Sequence, residues 1–136
     1  MAADGKLFDD YYYAHGCGAP YRRDEGWLAQ FGRIADAVVR EIQPHAVLDV
    51  GCAIGLLVET LRQRGVEAYG VDVSEYAIEQ VHPSVRAYCR VAGATEPFGR
   101  RYDLITCIEV LEHMPPEQAQ GAIANLCAHA DGVLFS

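Results

Sequence analysis

The chain has 136 residues, 51% of them hydrophobic and 22% charged, which suits one folded domain with a buried core. A formal net charge of -8 argues against a surface that attracts nucleic acid or anionic membranes as a whole, although a local basic patch remains compatible with it. The sequence has no apolar run long enough to cross a bilayer and no signal-peptide pattern, so we expect a cytoplasmic protein. The five cysteines form no CxxC pair, which favours reduced structural thiols.

Apolar residues alternate along the chain between the period of a helix and that of a buried strand. Residues 1–23 are rich in aromatic residues and glycine without a clear period, so we interpret them as an N-terminal lead-in or flap. The segments that follow are predicted as helix 24–42, strand 46–50, helix 56–64, strand 66–73, helix 74–81, strand 86–91, strand 102–108, helix 115–130 and strand 132–136. This order predicts an α/β fold: one domain over 1–136, with a core over 24–136 in which helices cover both faces of a mainly parallel sheet of about five strands.

The stretch VLDVGCAIG, residues 47–55, joins the first strand to the next helix. Such a loop lies at the carboxyl edge of a doubly wound sheet, where ligands bind. Gly51 and Gly55 allow a tight turn and a close approach of the backbone to a ligand. Asp72 ends the second strand, and its carboxylate suits the two hydroxyls of a ribose. Together these features predict a nucleoside site, while an ordinary βα turn is the alternative.

The loop differs from the dinucleotide fingerprint, because Ala53 and Leu56 stand where G-x-G-x-x-G needs glycine. The stretch DVGCAIG instead resembles motif I of the class I S-adenosylmethionine-dependent methyltransferases. The stretch YDLITCIEVLEHMPP, residues 102–116, resembles the segment at the fourth strand of that family. The resemblance covers about residues 46–136 and implies a three-layer Rossmann-like fold with strand order 3-2-1-4-5.

The resemblance also implies S-adenosylmethionine as the cofactor, with Asp49 ordering the loop or meeting the amino group indirectly, Asp72 on the ribose hydroxyls and Val73 against the adenine. After the third strand, the family commonly places an acidic or polar residue against the adenine amino group, and this chain has Ala94 and Thr95 there. The cofactor-binding residues that we predict are Asp49, Gly51, Cys52, Ala53, Gly55, Asp72, Val73, Ala94, Thr95, Ile108 and Glu109.

The stretch EVLEH places Glu109, Glu112 and His113 on one face if a helical turn forms there. Two carboxylates and an imidazole suit a divalent cation such as Mg²⁺ or Mn²⁺. E-x-x-E-H is similar to the metal-binding motif of the ubiquinone-biosynthesis O-methyltransferases and the small-RNA 2'-O-methyltransferases. Two other interpretations stay open: the three residues organise the loop, or His113 is a catalytic base.

The resemblance implies methyl transfer from S-adenosylmethionine to an unidentified acceptor, with positioning as the main catalytic effect. A hydroxyl on a small molecule or glycan is favoured over RNA because the chain is acidic, and RNA stays open. The alternatives are a non-catalytic module that binds the cofactor or a partner, and an NAD(P)-binding protein. Candidates for closing the site, or for merely capping the sheet, are Tyr12, Tyr13, His15 and Tyr21, with Arg22 or Arg23 for a carboxylate or phosphate.

Members of the family continue past the fifth strand with further strands, whereas this chain ends on that strand at Ser136. We therefore expect that its C-terminal strands are missing. The exposed edge of the fifth strand predicts association of two copies into a homodimer.

Overall fold

The computed structural model describes residues 5–17 and 20–136, and within them an alternation of strands and helices. In the lead-in, Gly5–Leu7 forms a 3-10 turn and Tyr12–Gly16 a short π-helix; residues 1–4 and 18–19 of the predicted flap lie outside the described residues. The elements that follow are α1 (Glu25–Glu41), β1 (Ala46–Val50), α2 (Leu56–Gln63), β2 (Glu67–Asp72), α3 (Glu75–Glu79), β3 (Cys89–Val91), β4 (Tyr102–Cys107), α4 (Pro116–His129) and β5 (Ala130–Phe135).

The five strands form one sheet in the order β3-β2-β1-β4-β5, and every pairing between neighbours is parallel. The central strand β1 pairs with β2 from Ala46 opposite Glu67 and with β4 from Val47 opposite Leu104. The predicted fold class and strand order are therefore confirmed. All strands end at the same edge of the sheet, which brings their carboxyl-terminal loops together.

The sheet is covered on both faces because side chains of β1 alternate between them. Val47 packs with α1, α2 and α3, whereas Leu48 and Val50 pack with Ala122 and Leu126 of α4. The ends of the helices follow their sequence signals. Asp24 accepts a hydrogen bond from the Trp27 N–H at the start of α1, Ser74 accepts one from the Ala77 N–H at the start of α3, and Gly65 adopts a left-handed φ of 81° after α2.

Two strands begin two or more residues away from their predicted starts. The chain forms a 3-10 turn over Arg86–Tyr88, so β3 begins at Cys89 and not at residue 86. No loop separates α4 from β5, which begins at Ala130, directly after His129. In the described part of the chain β5 is an outer strand with Leu134 and Phe135 exposed, and homodimerisation through it remains a prediction. Among the described residues, no helix is long and apolar enough to span a membrane.

The lead-in is fixed to the core by an ion pair that the sequence did not reveal. Glu59 of α2 is only 3% exposed, and its carboxylate accepts hydrogen bonds from Nε and Nη2 of Arg23 at 2.9 and 2.7 Å. The exposed Arg22 pairs with Asp24. Both arginines predicted for an acceptor carboxylate or phosphate thus have an internal partner, and Arg23 neutralises a buried charge.

Candidate functional site

A cavity of about 610 Å³ lies at the carboxyl edge of the sheet, where the loops after β1, β2, β3 and β4 meet. It is lined by the glycine loop, by the loops after β2, β3 and β4, and by residues of α1 and the lead-in. This volume is typical of pockets for cofactors and drug-sized ligands.

The glycine loop has the backbone conformation that its sequence predicts. Gly51 and Gly55 have φ values of 81° and 78°. The N–H groups of Gly51 and Cys52 both donate to the Val71 carbonyl, at 2.8 and 2.9 Å, which fixes the loop to the end of β2. A side chain on Gly51 would overlap the Val110 methyl Cγ2. The loop is therefore packed against the segment after β4 with no room for a Cβ.

Asp72 holds two loops together from the end of β2. Its Oδ2 accepts a hydrogen bond from the Ala53 N–H at 2.8 Å, and its Oδ1 accepts one from the Ser74 N–H at 2.9 Å. Ala53 is in the left-handed region at φ 51°, an uncommon conformation for a residue with a Cβ. Burial raises the pKa of Asp72, and the backbone hydrogen bonds oppose that shift. Each oxygen retains accepting capacity toward the cavity that this side chain lines.

Asp49 is a second buried carboxylate on the cavity wall. It lies opposite Thr106 in the β1–β4 register, and the Thr106 hydroxyl donates to its Oδ1 at 2.8 Å. Burial raises the pKa of Asp49 to about 7, and the hydrogen bond from Thr106 lowers it in part. The protein therefore holds a carboxyl whose charge depends on pH near neutrality.

We expect Asp49→Asn to stabilise the protein above neutral pH and to leave it unchanged below about pH 4. The pKa of Asp49 in the folded protein lies above its ordinary value. At pH values between these two, the native state binds more protons than the unfolded state, so stability falls as the pH rises through this range. Asparagine carries no charge, so its advantage should reach about 1–2 kcal/mol at high pH, less any weakening of the bond with Thr106. Thermal melts of both proteins near pH 4 and near pH 8 measure the difference; an equal gain at both values would contradict the assignment.

The segment EVLEH does not form the predicted helical turn. Glu109 is left-handed at φ 57°, and a 3-10 turn begins only at Leu111. Glu109 and Glu112 share a hydrogen bond, which raises the pKa of Glu109 and lowers that of Glu112, and Oε1 of Glu112 lies 3.7 Å from Nε2 of His113. In residues 5–17 and 20–136 no three His, Cys, Asp or Glu side chains are grouped so that they could hold a metal ion, so the structure gives no support to the metal site predicted at Glu109, Glu112 and His113.

An aromatic wall faces the carboxylates across the cavity, formed by Phe8, Tyr12, Tyr13, Tyr21, Trp27 and Phe31. Tyr21 packs on Trp27 with ring centroids 4.6 Å apart, and Phe8 meets Tyr12 edge-on at 5.0 Å. His113 also meets the Phe8 ring edge-on, at 5.9 Å, which closes the wall against the segment after β4. Three predicted lead-in tyrosines thus line the cavity, whereas His15 packs on Tyr11 outside it.

Most of the predicted cofactor residues are brought together at this cavity, and two are not. Gly55 faces Val81 behind the loop, and Thr95 is exposed beyond the cavity rim. The residues on the wall are Asp49, Gly51, Cys52, Ala53, Asp72, Val73, Ala94, Ile108 and Glu109, together with Glu112 and His113. The sequence analysis did not single out Phe8, Trp27 or Phe31 as site residues; for the last two, helical spacing defines a face of α1 without showing what that face meets.

The cavity wall carries a strongly negative charge. Asp49, Asp72, Glu109 and Glu112 line it, and the described lining residues include no lysine or arginine. Such a site favours a ligand with a positive centre and repels the pyrophosphate of a dinucleotide.

Comparisons with known proteins agree on one family. Residues 22–136 match the family model described as a methyltransferase domain. The ubiquinone biosynthesis O-methyltransferase of Neisseria meningitidis serogroup C is 32% identical over an alignment 149 positions long, gaps included, which covers 85% of this chain and 62% of that protein. The protein of the same name from Alkalilimnicola ehrlichii is 36% identical over 107 residues, covering 70% and 42%. The chain thus spans about half the length of the curated relatives it matches.

A solved structure has the same fold. The magnesium protoporphyrin IX methyltransferase of Synechocystis PCC 6803, with bound S-adenosylmethionine, superposes with a TM-score of 0.72 at 24% identity, over 96% of this chain and 74% of that one. At this identity the likeness concerns the arrangement of strands and helices.

Proposed function

Because the chain belongs to the class I S-adenosylmethionine-dependent methyltransferases, we propose that its cavity binds S-adenosylmethionine and directs the methyl group to a hydroxyl of a small aromatic molecule. The observation that carries this proposal has two parts. Asp49 and Asp72 are buried on the cavity wall, and the described residues of that wall include no lysine or arginine. S-adenosylmethionine carries a sulfonium and an ammonium group, and its ribose offers two hydroxyls to a carboxylate such as Asp72.

The acceptor class is supported by the composition of the opposite wall. Tyr12, Tyr21 and Trp27 line the cavity with aromatic rings, and aromatic walls bind planar ligands through stacked or edge-on contacts. The relatives from Neisseria and Alkalilimnicola are O-methyltransferases of ubiquinone biosynthesis by name, which supports oxygen as the accepting atom. Glycans and RNA offer hydroxyls too, but a phosphate backbone would meet the carboxylates of this site.

Methyl transfer requires little covalent chemistry from the protein, since the sulfonium supplies both electrophile and leaving group. The residues of the cavity act by holding the acceptor oxygen, the methyl carbon and the sulfur in line, which is the largest contribution available to such a reaction. The acceptor hydroxyl must also lose a proton. His113 lines the cavity beside Glu112 and is our candidate for the catalytic base.

The arrangement of Glu109, Glu112 and His113 does not fit a metal centre. A divalent cation is held by ligands that surround one point, whereas Glu109 here bonds to Glu112 and turns its backbone into the left-handed region. We therefore assign no step to a metal.

Titration calorimetry of the purified chain with S-adenosylhomocysteine, and with NAD in parallel, tests the cofactor proposal first. We expect micromolar binding of S-adenosylhomocysteine alone, because the acidic wall disfavours pyrophosphate. A catechol incubated with S-adenosylmethionine then tests transfer, with mass spectrometry of the methylated product. His113→Gln should lower turnover at least about tenfold without changing cofactor affinity, whereas His82→Gln, at a half-buried position outside the cavity wall, should change neither.

Each result points to a different conclusion. Binding without turnover on any hydroxylated aromatic would favour a non-catalytic cofactor-binding module. Binding of NAD, or of neither ligand by a folded chain, would overturn the proposed function.

A further inference from the structure

Two buried cysteines meet beneath the glycine loop. Cys52 belongs to that loop and lines the cavity, and Cys89 begins β3; both are free thiols in the same core cluster, 3% and 8% exposed. A side-chain hydrogen bond between the two thiols raises the pKa of Cys52 and lowers that of Cys89, and the Cys52 thiol also lies 3.7 Å from the Ala53 carbonyl oxygen, a second acceptor. The proposed reaction uses neither sulfur.

The glycines around the two thiols show how closely the sulfurs approach. Gly70 of β2 lies opposite Cys89 in the strand register, so their Cβ positions stand side by side on the same face, about 5 Å apart. A Cβ on Gly70 would lie 2.7 Å from the Cys52 sulfur, and a Cβ on Gly55 would lie 3.5 Å from the Cys89 sulfur. Cys52 therefore occupies the space above Gly70, directly beside Cys89. The missing side chain at Gly70 leaves the space that the Cys52 thiol occupies.

We propose that Cys52 and Cys89 form an intramolecular disulfide on exposure to a peroxide, and that this bond closes the cofactor site. One thiol is oxidised by the peroxide to a sulfenic acid, which breaks the O–O bond and releases one water. The second thiol attacks that sulfur, forms the S–S bond and releases a second water. Two thiols and one hydrogen peroxide thus give one disulfide and two waters, with two electrons passing from the sulfurs to the peroxide.

The effect of the disulfide on the cofactor site follows from the hydrogen bonds that Cys52 and Ala53 make. A disulfide bond is about 2 Å long, well below the separation of hydrogen-bonded thiols, so the Cys52 side chain must move toward β3. The neighbouring Ala53 N–H holds Asp72 at 2.8 Å, and the Cys52 N–H holds the Val71 carbonyl. Oxidation would pull on both hydrogen bonds and displace the loop from its cofactor-binding conformation. This part of the inference rests on the proposed function.

Of the other described cysteines, Cys17 also lines the cavity, whereas Cys107 and Cys127 do not. Cys107 is fully buried on β4, out of reach of a molecule in the cavity. Cys127 is exposed on α4, away from the cavity wall. Cys52 lines the cavity and gives a peroxide molecule access to the pair. Cys89, whose pKa is lowered, is the thiol of the two that more readily becomes the nucleophilic thiolate.

The test compares the purified chain before and after treatment with hydrogen peroxide. Peptide mapping without reduction should show a Cys52–Cys89 crosslink and the loss of two hydrogens. Affinity for S-adenosylhomocysteine should fall at least about tenfold and return after dithiothreitol. Cys89→Ala should bind S-adenosylhomocysteine like the parent chain before oxidation and stay unaffected by peroxide, whereas Cys107→Ala should respond to peroxide as the parent does.

Two results would overturn the inference: a peptide map that lacks the Cys52–Cys89 crosslink, or a complete crosslink with unchanged affinity. A reduced chain that binds no S-adenosylhomocysteine would instead count against the proposed function. In that case the peptide map still decides whether the bond forms, so the two failures are distinguishable.

Discussion

Asp72→Ala is expected to weaken S-adenosylhomocysteine binding by about 2–4 kcal/mol, which corresponds to roughly 30-fold to 1000-fold in affinity. The substitution removes the proposed acceptor for the ribose hydroxyls and also leaves the N–H groups of Ala53 and Ser74 without their partner. The cofactor contact and the shape of the glycine loop are lost together. Titration calorimetry on the folded variant measures the change, and an affinity within about threefold of the parent would reject Asp72 as the ribose ligand.

Asp103→Ala is a matched control for this substitution. Asp103 also accepts hydrogen bonds from two backbone N–H groups, those of His45 and Ala46, but it lies at the amino end of β4, at the opposite edge of the sheet. We expect this variant to lose stability and to keep its cofactor affinity. A comparable loss of affinity in both variants would indicate a general effect of unpaired backbone groups.

Gly51→Ala is expected to abolish measurable cofactor binding and to lower the free energy of unfolding by about 3 kcal/mol. Two penalties add: alanine must adopt a φ of 81°, and its Cβ overlaps the Cγ2 methyl of Val110. The loop can relieve the overlap only by moving away from the segment after β4. Chemical denaturation and calorimetry measure the two effects on the same sample.

Two further variants separate these penalties. Gly65 has the same φ of 81° with no atom within 4 Å of an added Cβ, so Gly65→Ala should cost only about 1 kcal/mol and leave binding intact. Val110→Ala added to Gly51→Ala removes the overlapping methyl and should restore part of the stability. If Gly65→Ala proved as damaging as Gly51→Ala, backbone conformation alone would explain both.

The fold was predictable because its signals are local. The alternation of apolar runs with amphipathic segments, the caps at Asp24 and Ser74, and Gly65 after α2 each depend on a few adjacent residues. The two misplaced strand starts, at Cys89 and Ala130, lie where a 3-10 turn or a direct helix-to-strand junction leaves no mark in the apolar pattern.

The candidate site was predictable where one segment contains the whole signal, as in the glycine loop and Asp72. It was not predictable where partners are distant in sequence. Thr106 reads as an ordinary strand residue in an apolar run, and its bond to Asp49 spans 57 residues. Glu59 reads as the polar face of α2, although it is buried against Arg23. The spacing of EVLEH predicted a helical turn. In the structure Val110 packs against the glycine loop, and the neighbouring Glu109 has a left-handed backbone conformation.

The register of β1 also determines the order in which the site can assemble during folding. Its pairing with β2 joins residues 46 and 67, a short loop to close, whereas its pairing with β4 joins residues 47 and 104. Longer loops cost more entropy to close and slow the formation of the contacts that need them. We therefore expect the growing chain to position the glycine loop and Asp72 early. The segment from Ile108 to Met114, which lines another part of the cavity, takes its place only when β4 pairs with β1. The cavity of a newly synthesised chain is therefore completed in that late step.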